Sequence, residues 1–255
     1  MVANQSTRQY AAIEFETCGE KRLITADLLA IADGGYSREE SSDFRGRDYD
    51  QQAVLAYVET ELPHENTAYE RFTPEGPVAL LPNGAGFSLV WVGNPDHARE
   101  LLGLNESEFL TQLHLHFGDR LGSFNAVKNR KLVPLALKYS EKVSRQRSVM
   151  LGNAAQLLHP VAGQGLNLGI RDVADLAREI LGSQKEIGLV TMLKAYEKRR
   201  TSDRMGSIFF TDFLVNLYSN DIPPLRFARG IGLASLNCLP FAKRFLMRRM
   251  MFGAA

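Results

Sequence analysis

The sequence predicts a mixed α/β protein, and three observations carry that reading. Residues 149–182 pass from a short apolar run through a glycine-bearing loop into a helical period, the order expected where a strand feeds a helix. Residues 52–92 hold alternating apolar runs divided by proline- and glycine-containing separators, the pattern of an antiparallel meander. From about residue 187 onward helical spacing takes over. The 255 residues carry 30 Lys and Arg against 29 Asp and Glu, a net charge of +1. That balance gives no global pull toward nucleic acid or acidic substrates. The length suffices for one large domain or two small ones with ample core. Cys18 and Cys238 lie far apart without metal-ligand spacing and read as reduced thiols, the default in a cytoplasmic compartment. Residues 1–10 are polar and lack the apolar centre of a signal peptide. No apolar run approaches the roughly 18 residues that a membrane span requires.

Taken in order, residues 10–16 alternate and read as a strand, Cys18-Gly19-Glu20-Lys21 as a turn, and 21–25 as the returning strand of a hairpin. Residues 28–32 are a buried-strand candidate ending in Asp33-Gly34. That dipeptide is common in turns, and it also lets backbone approach a ligand closely. Residues 52–61, 70–73, 78–81 and 87–92 are the meander strands, with Pro74-Glu75-Gly76-Pro77 and Pro82-Asn83-Gly84-Ala85-Gly86 as turns. Trp91, the sole tryptophan, is expected to pack in the core or on the sheet. Residues 106–121 read as a helix opened by Asn105 with Glu108 at N3, a capping box; Phe109, Leu113 and Phe117 lead its apolar stripe. His114 and His116 stand two apart on different helix faces, which is not metal-ligand spacing. Residues 126–137 return as an extended segment leading to Val149.

Val149 to Leu151 read as a buried strand. Gly152, Pro160, Gly163 and Gly165 punctuate the loop that follows. From Leu166 a helical face collects Leu166, Ile170, Val173, Ala174, Ala177, Ile180 and Leu181, and Gly182 stands where a helix C′ residue belongs. Backbone N–H groups at such a helix start are unpaired and carry the positive end of the dipole, which makes the junction a natural anion site. On geometry alone an ordinary structural crossover is the plainer reading. Residues 187–217 form a further helix with Lys194, Lys198, Arg199, Arg200 and Arg204, read as a solvated basic face. No aromatic platform interleaves these cations to suit nucleic acid. Ile222-Pro223-Pro224 breaks the chain. The tail, residues 239–252, mixes bulky apolar side chains with Lys243, Arg244, Arg248 and Arg249, as in a packed terminal helix or an interfacial helix on anionic lipid.

The wording of the loop is more specific than its geometry. Gly152-Asn153-Ala154-Ala155-Gln156, then His159-Pro160, then Ala162-Gly163-Gln164-Gly165-Leu166-Asn167-Leu168-Gly169 closely resemble the second flavin motif of the FAD-dependent aromatic-ring hydroxylases of the para-hydroxybenzoate hydroxylase type. Asn153 and Gln156 stand where most of that family has Asp and His, wording similar to its ubiquinone-biosynthesis branch. Ala32-Asp33-Gly34 with Ser37 resembles the family's Asp-Gly motif, with Glu40 where many members carry Arg. Residues 64–72, with Gly76-Pro77 and Leu80-Leu81-Pro82, resemble the branch's substrate-domain sheet.

The resemblance implies the C-terminal two thirds of a Rossmann-like FAD-binding domain, with an inserted antiparallel-sheet substrate domain and a helical C-terminus. The implied division gives 1–45 and 127–185 to the FAD-binding domain, 46–126 to the substrate sheet and helix, and 186–255 to the helical region. It implies FAD and NAD(P)H as cofactors, O2 and a polyprenylated phenol as substrates, and hydroxylation in ubiquinone biosynthesis through a C4a-hydroperoxyflavin. It also implies membership of a ubiquinone-synthesis protein complex and peripheral contact of the tail with the inner face of the membrane. Neither nucleic acid nor a metal is expected. The implied cofactor contacts are Asp33, Gly34, Gly152, Asn153, Pro160, Gly163, Gln164, Gly165, Leu166 and Asn167, with His159 and Pro160 beside the reactive flavin edge. This is a positioning site without a general acid–base triad, in which His159 serves packing or backbone satisfaction before proton transfer. Asn153 can accept from a ribityl hydroxyl and can also donate. The family's opening strand, Gly-x-Gly-x-x-Gly turn and helix for the ADP half has no counterpart at the start of this chain. The expectation is therefore weak or no FAD retention and no activity from this chain alone, or a non-catalytic remnant serving as an interaction module.

Overall fold

Alternation and turn chemistry put most strands close to where the pattern expects them. The computed structural model describes residues 3–7, 9–35, 43–183, 186–218 and 222–253. Its first strands are β1 (Ala3–Ser6), β2 (Ala11–Thr17), β3 (Glu20–Ala26), β4 (Leu29–Ile31) and β5 (Phe44–Thr60). The meander follows as β6 (Tyr69–Thr73), β7 (Gly76–Asn83) and β8 (Gly86–Gly93), then helices α1 (Pro95–Gly103) and α2 (Glu106–Phe117). After β9 (Phe124–Ser140), β10 (Ser144–Arg145), β11 (Ser148–Met150) and β12 (Gln156–Leu157) come α3 (Gln164–Gly182), α4 (Val190–Tyr218), α5 (Pro223–Cys238) and α6 (Pro240–Phe252). Two units result: Met1–Arg47 with Leu137–Thr211 and Leu239–Ala255, and Asp48–Ala136 with Asp212–Cys238. The stretch 186–255, read from the sequence as one helical region, is shared between them.

In the first unit β1, β2 and β3 form an antiparallel sheet. Cys18 and Gly19 turn the β2–β3 hairpin with φ of 51° and 79°, the positive pair that a two-residue turn matching strand twist requires. A second small sheet has the order β10-β11-β4, and β11 runs parallel to β4. β4 is shorter than the sequence suggests and is not buried: Ala30 is exposed and its neighbours are half-buried. The core beneath gathers Val143, Val149, Leu151 and Ala155 with Leu176 of α3 and Met192, Leu193 and Tyr196 of α4.

Two helix readings are overturned here. On α3 the row expected on one apolar face is largely solvent-facing: Leu166 and Leu181 are each 74% exposed, and Ile170 and Val173 more than half exposed. The buried row is Gln164, Leu168, Asp172 and Leu176, an i, i+4 stripe. A count of apolar side chains missed it because two of its four members are polar. Gly182 is the last helical residue, with Ser183 as cap, so it is not the C′ residue. On α4 the basic face is not uniformly solvated, since Arg200 and Arg204 are buried. Each is neutralised or hydrogen-bonded inside, as described below.

The second unit is built on the antiparallel meander. Its strands lie in the order β9-β5-β8-β7-β6, with Val78 opposite Trp91 and Val54 opposite Trp91 on its other side. Val54, Val58, Val78, Leu80, Phe87, Leu89 and Trp91 present one face to Leu101 of α1 and Phe109, Leu113 and Phe117 of α2. Trp91 is buried edge-on to Phe109 and His116. The capping box forms as read: Asn105 Oδ1 accepts from Glu108 N–H at 2.9 Å, and Glu108 Oε2 accepts from Asn105 N–H at 3.1 Å. α2 stops at Gly118 (φ 59°) rather than at Leu121. α1 was not anticipated; its signal is Asn94-Pro95, an N-cap whose Oδ1 accepts from His97 N–H, followed by proline in the first turn.

Candidate functional site

The parallel pairing of β4 and β11 brings the two sequence motifs together. Leu29, Ala30 and Ile31 lie opposite Ser148, Val149 and Met150, and the Leu151 N–H donates to the Ile31 carbonyl at 2.9 Å. Both chains leave in the same direction, so Asp33-Gly34 and Gly152-Asn153 emerge at the carboxyl ends of neighbouring parallel strands. That is where α/β proteins open a ligand crevice. Asp33 Oδ1 accepts the Gly35 N–H at 2.9 Å, closing a turn in which Gly34 has φ 74°. Ser37 and Glu40 lie outside the described residues.

The turn after β11 is tightly specified. Gly152 has φ 54°, a left-handed conformation that costs a side-chain-bearing residue about 1–2 kcal/mol. Its N–H donates to Asp172 Oδ2 at 3.0 Å. Gly169 of α3 packs against it so closely that a Cβ on Gly169 would stand 3.4 Å from the Gly152 Cα. Residues 152–154 make one 3-10 turn, in which Ala154 is buried and Asn153 is exposed. Asn153 therefore offers its amide to solvent, while its neighbours fix the backbone beneath it.

His159 lies 1% exposed at the N-cap of a second 3-10 turn, Pro160–Ala162, and its Nδ1 accepts the Val161 N–H at 3.1 Å. Burial lowers its pKa to about 4, so the ring is neutral near pH 7, and the Nδ1 acceptor role places its proton on Nε2. The geometry makes His159 a backbone cap. Pro160 is exposed beside it. Gly163 (φ 58°) donates its N–H to the Pro160 carbonyl and opens α3 without a side-chain cap. The first turn of α3 carries no acidic residue, and a Cβ on Gly163 or Gly165 would meet nothing within 4 Å. The positive end of this 19-residue helix is thus open to close approach by an electron-rich group.

Other expected contacts point elsewhere. Gln164 is buried and helps line a small pocket with Ser207, Phe210, Leu246, Arg249 and Met250. What it offers at the helix start is its backbone N–H. The Leu166 side chain projects into solvent, and Asn167 Nδ2 reaches the Met250 carbonyl at 3.5 Å.

Behind the turn lies an ionic network that the sequence did not disclose. Asp172 is fully buried; its Oδ2 accepts from Gly152 N–H and from Gln156 Nε2 (2.8 Å), and its Oδ1 accepts from Arg200 Nε (2.8 Å). Arg200 Nη1 also reaches Asp203 Oδ2 at 2.9 Å, which Arg171 Nε binds at 2.8 Å. Arg204 donates to Gln156 Oε1 at 2.7 Å and to the Ser140 carbonyl at 3.0 Å. Burial alone would depress the Arg200 pKa, but Asp172 and Asp203 outweigh it and hold the guanidinium above its ordinary value. The available signal was the pair Arg200 and Arg204, one helical turn apart, with an aspartate in the middle of the preceding helix.

A parallel strand pair, a glycine turn and an open helix start suit a nucleotide cofactor. The family whose model is described as FAD binding domain matches residues 2–206, and the chain belongs to that family of FAD-dependent monooxygenases. Among its relatives, ubiquinone hydroxylase UbiL of Rhodospirillum rubrum is 37% identical over 242 residues, covering 92% of this chain and 56% of the relative. The 3-demethoxyubiquinol 3-hydroxylase of Escherichia coli is 32% identical over 232 residues, covering 87% and 58%. The chain thus spans little more than half the length of the curated relatives it matches. Among solved structures, p-nitrophenol 4-monooxygenase PnpA from Pseudomonas putida shares the fold with a TM-score of 0.78 at 17% identity, covering all of this chain and 66% of that one.

Proposed function

We propose that this chain supplies the ribityl and isoalloxazine end of the FAD site in a hydroxylase that acts on a polyprenylated phenol in ubiquinone synthesis. The observation that carries the reading is the joint emergence of Asp33-Gly34 and Gly152-Asn153 from paired parallel strands, with Gly152 packed on α3 at Gly169. The ubiquinone hydroxylases among the relatives supply the substrate class. Bound flavin, reduced by NAD(P)H, provides the chemistry that activates O2 for transfer to an aromatic ring. The protein's part is placement. Asn153 exchanges hydrogen bonds with a ribityl hydroxyl, and Gly163 and Gly165 admit the ring edge without a Cβ in the way. The first N–H groups of α3 would stabilise negative charge on the reduced ring, while His159 keeps the Pro160–Ala162 turn in shape.

No Gly-x-Gly-x-x-Gly occurs in the 255 residues, so the reading assigns this chain little affinity for the ADP half. Titration with riboflavin and with FAD, followed by flavin fluorescence and visible absorbance, tests this. Both should bind weakly, with FAD no more than about tenfold tighter, and Asn153→Ala should weaken both. Stoichiometric FAD in the purified chain would overturn the half-site, and no riboflavin binding at all would overturn the flavin assignment.

One observation favours a second role. At 100° per residue Phe241, Phe245 and Phe252 share one face of α6, all are more than 60% exposed, and Arg244 and Arg248 flank them. Such a face suits the headgroup boundary of an anionic bilayer, where a polyprenylated substrate would reside. Co-sedimentation with anionic vesicles, lost at high salt and in Phe245→Ser, is the expected result; equal binding to neutral vesicles would count against it. No helix among the described residues is long and apolar enough to cross a membrane. The exposed row on α3 likewise favours a protein cover, such as a partner in a ubiquinone-synthesis complex.

A further inference from the structure

We propose that Asp172 is the positioning residue of this site, holding the Gly152–Gln156 turn in register with the start of α3. One carboxylate oxygen grips both ends of the turn, through the Gly152 N–H at 3.0 Å and Gln156 Nε2 at 2.8 Å. The residues between, Asn153 and Ala154, therefore have their path set by one side chain. That side chain belongs to α3, whose N-terminal turn forms the other wall of the site two helical turns away. Gly169 lies against Gly152 at backbone distance, so turn and helix are already in contact, and Asp172 adds direction to that contact. Arg200 of α4 takes the second oxygen at 2.8 Å and fixes how the carboxylate is rotated. Arg204 does the same for the Gln156 amide by holding its Oε1 at 2.7 Å. Asp172, Gln156, Arg200 and Arg204 are each nine-tenths or more buried, where charge-assisted hydrogen bonds are strong and an orphaned partner is costly. A shift of α3 must carry the turn with it, so the spacing between Asn153 and the helix N–H groups is held constant. The importance of that spacing to flavin rests on the function proposed above; the coupling itself does not.

The test separates acceptor from charge. Asp172→Leu with Arg200→Leu removes both partners of the ion pair, so neither is left buried without the other, but it leaves the Gly152 N–H without its acceptor. Asp172→Asn with Arg200→Gln removes the charges and keeps an acceptor oxygen in place. Asp203→Asn perturbs the same network through Arg171 and Arg200 without touching the turn. Hydrogen exchange of the peptide covering 149–158 and riboflavin affinity would be read beside the unfolding midpoint. The Leu pair should exchange about tenfold faster over 149–158 and bind riboflavin about tenfold more weakly. The Asn–Gln pair and Asp203→Asn should stay within about threefold of wild type in both. The proposal is overturned if the Leu pair exchanges as wild type does, or if Asp203→Asn loosens 149–158 equally at a matched loss of stability. If wild type binds no riboflavin, the flavin assignment fails while the exchange comparison still decides the coupling.

Discussion

His159 shows how a residue of ambiguous chemistry becomes defined by its surroundings. Its folded pKa of about 4 lies below the unfolded value near 6.5. Between those values the unfolded chain binds a proton that the native state refuses. Its contribution to stability is therefore fully present above about pH 6.5 and is lost progressively as pH falls toward 4. Denaturant unfolding at pH 7.5 and pH 5 should show wild type losing more stability than His159→Asn, which retains an N-cap acceptor without a titrating ring. An equal loss in both would mean that the ring is protonated in the native state. Gly152→Ala should cost about 1–2 kcal/mol from its positive φ, visible as a lowered denaturant midpoint. The glycines, Asn153 and His159-Pro160 were legible because a motif fixes residue identity at each position. Asp172, Arg200 and Arg204 were not, because a reading of periodicity assigns charged side chains to solvent unless a partner is known.

At the scale of elements, α2 and the meander were read nearly to their ends, since cap, turn and alternation all act locally. α3 was located correctly and turned to the wrong side. Its apolar residues outnumber what the described structure covers, and its packed stripe includes a carboxylate paired with Arg200. The assignment of faces is directly testable by unfolding. Leu168→Ala, on the buried stripe, should cost about 2–5 kcal/mol. Ile170→Lys and Val173→Lys, on the exposed row, should each stay within about 0.5 kcal/mol. Comparable losses at all three would return the helix to the orientation that its apolar pattern suggested. The length of β5 was also missed: its first eight residues, 44–51, are mostly polar and exposed, and such a stretch pairs through its backbone without an alternating signature.

For the molecule as a whole, each unit has its own apolar cluster, yet much apolar surface remains uncovered on α3 and α6. Exposed apolar area on this scale promotes association. Sedimentation velocity should show a mass that rises with concentration, and Phe241→Ser with Phe245→Ser should reduce that rise. A mass independent of concentration in wild type would contradict this. Composition bounded the molecule as an ordinary globular chain, but the division into units depended on which distant strands pair, and no local pattern reports that.

The pairing of β4 with β11 also bears on the order in which the molecule assembles. Ala30 meets Val149 only after the whole of Asp48–Ala136 has been threaded between them. Closing so long a loop is entropically unfavourable until the intervening chain has condensed. On refolding from denaturant, the meander should therefore gain its buried tryptophan signal first. Competence to bind riboflavin should follow in a slower phase, because the two motifs that make the crevice are among the last parts of the chain to meet.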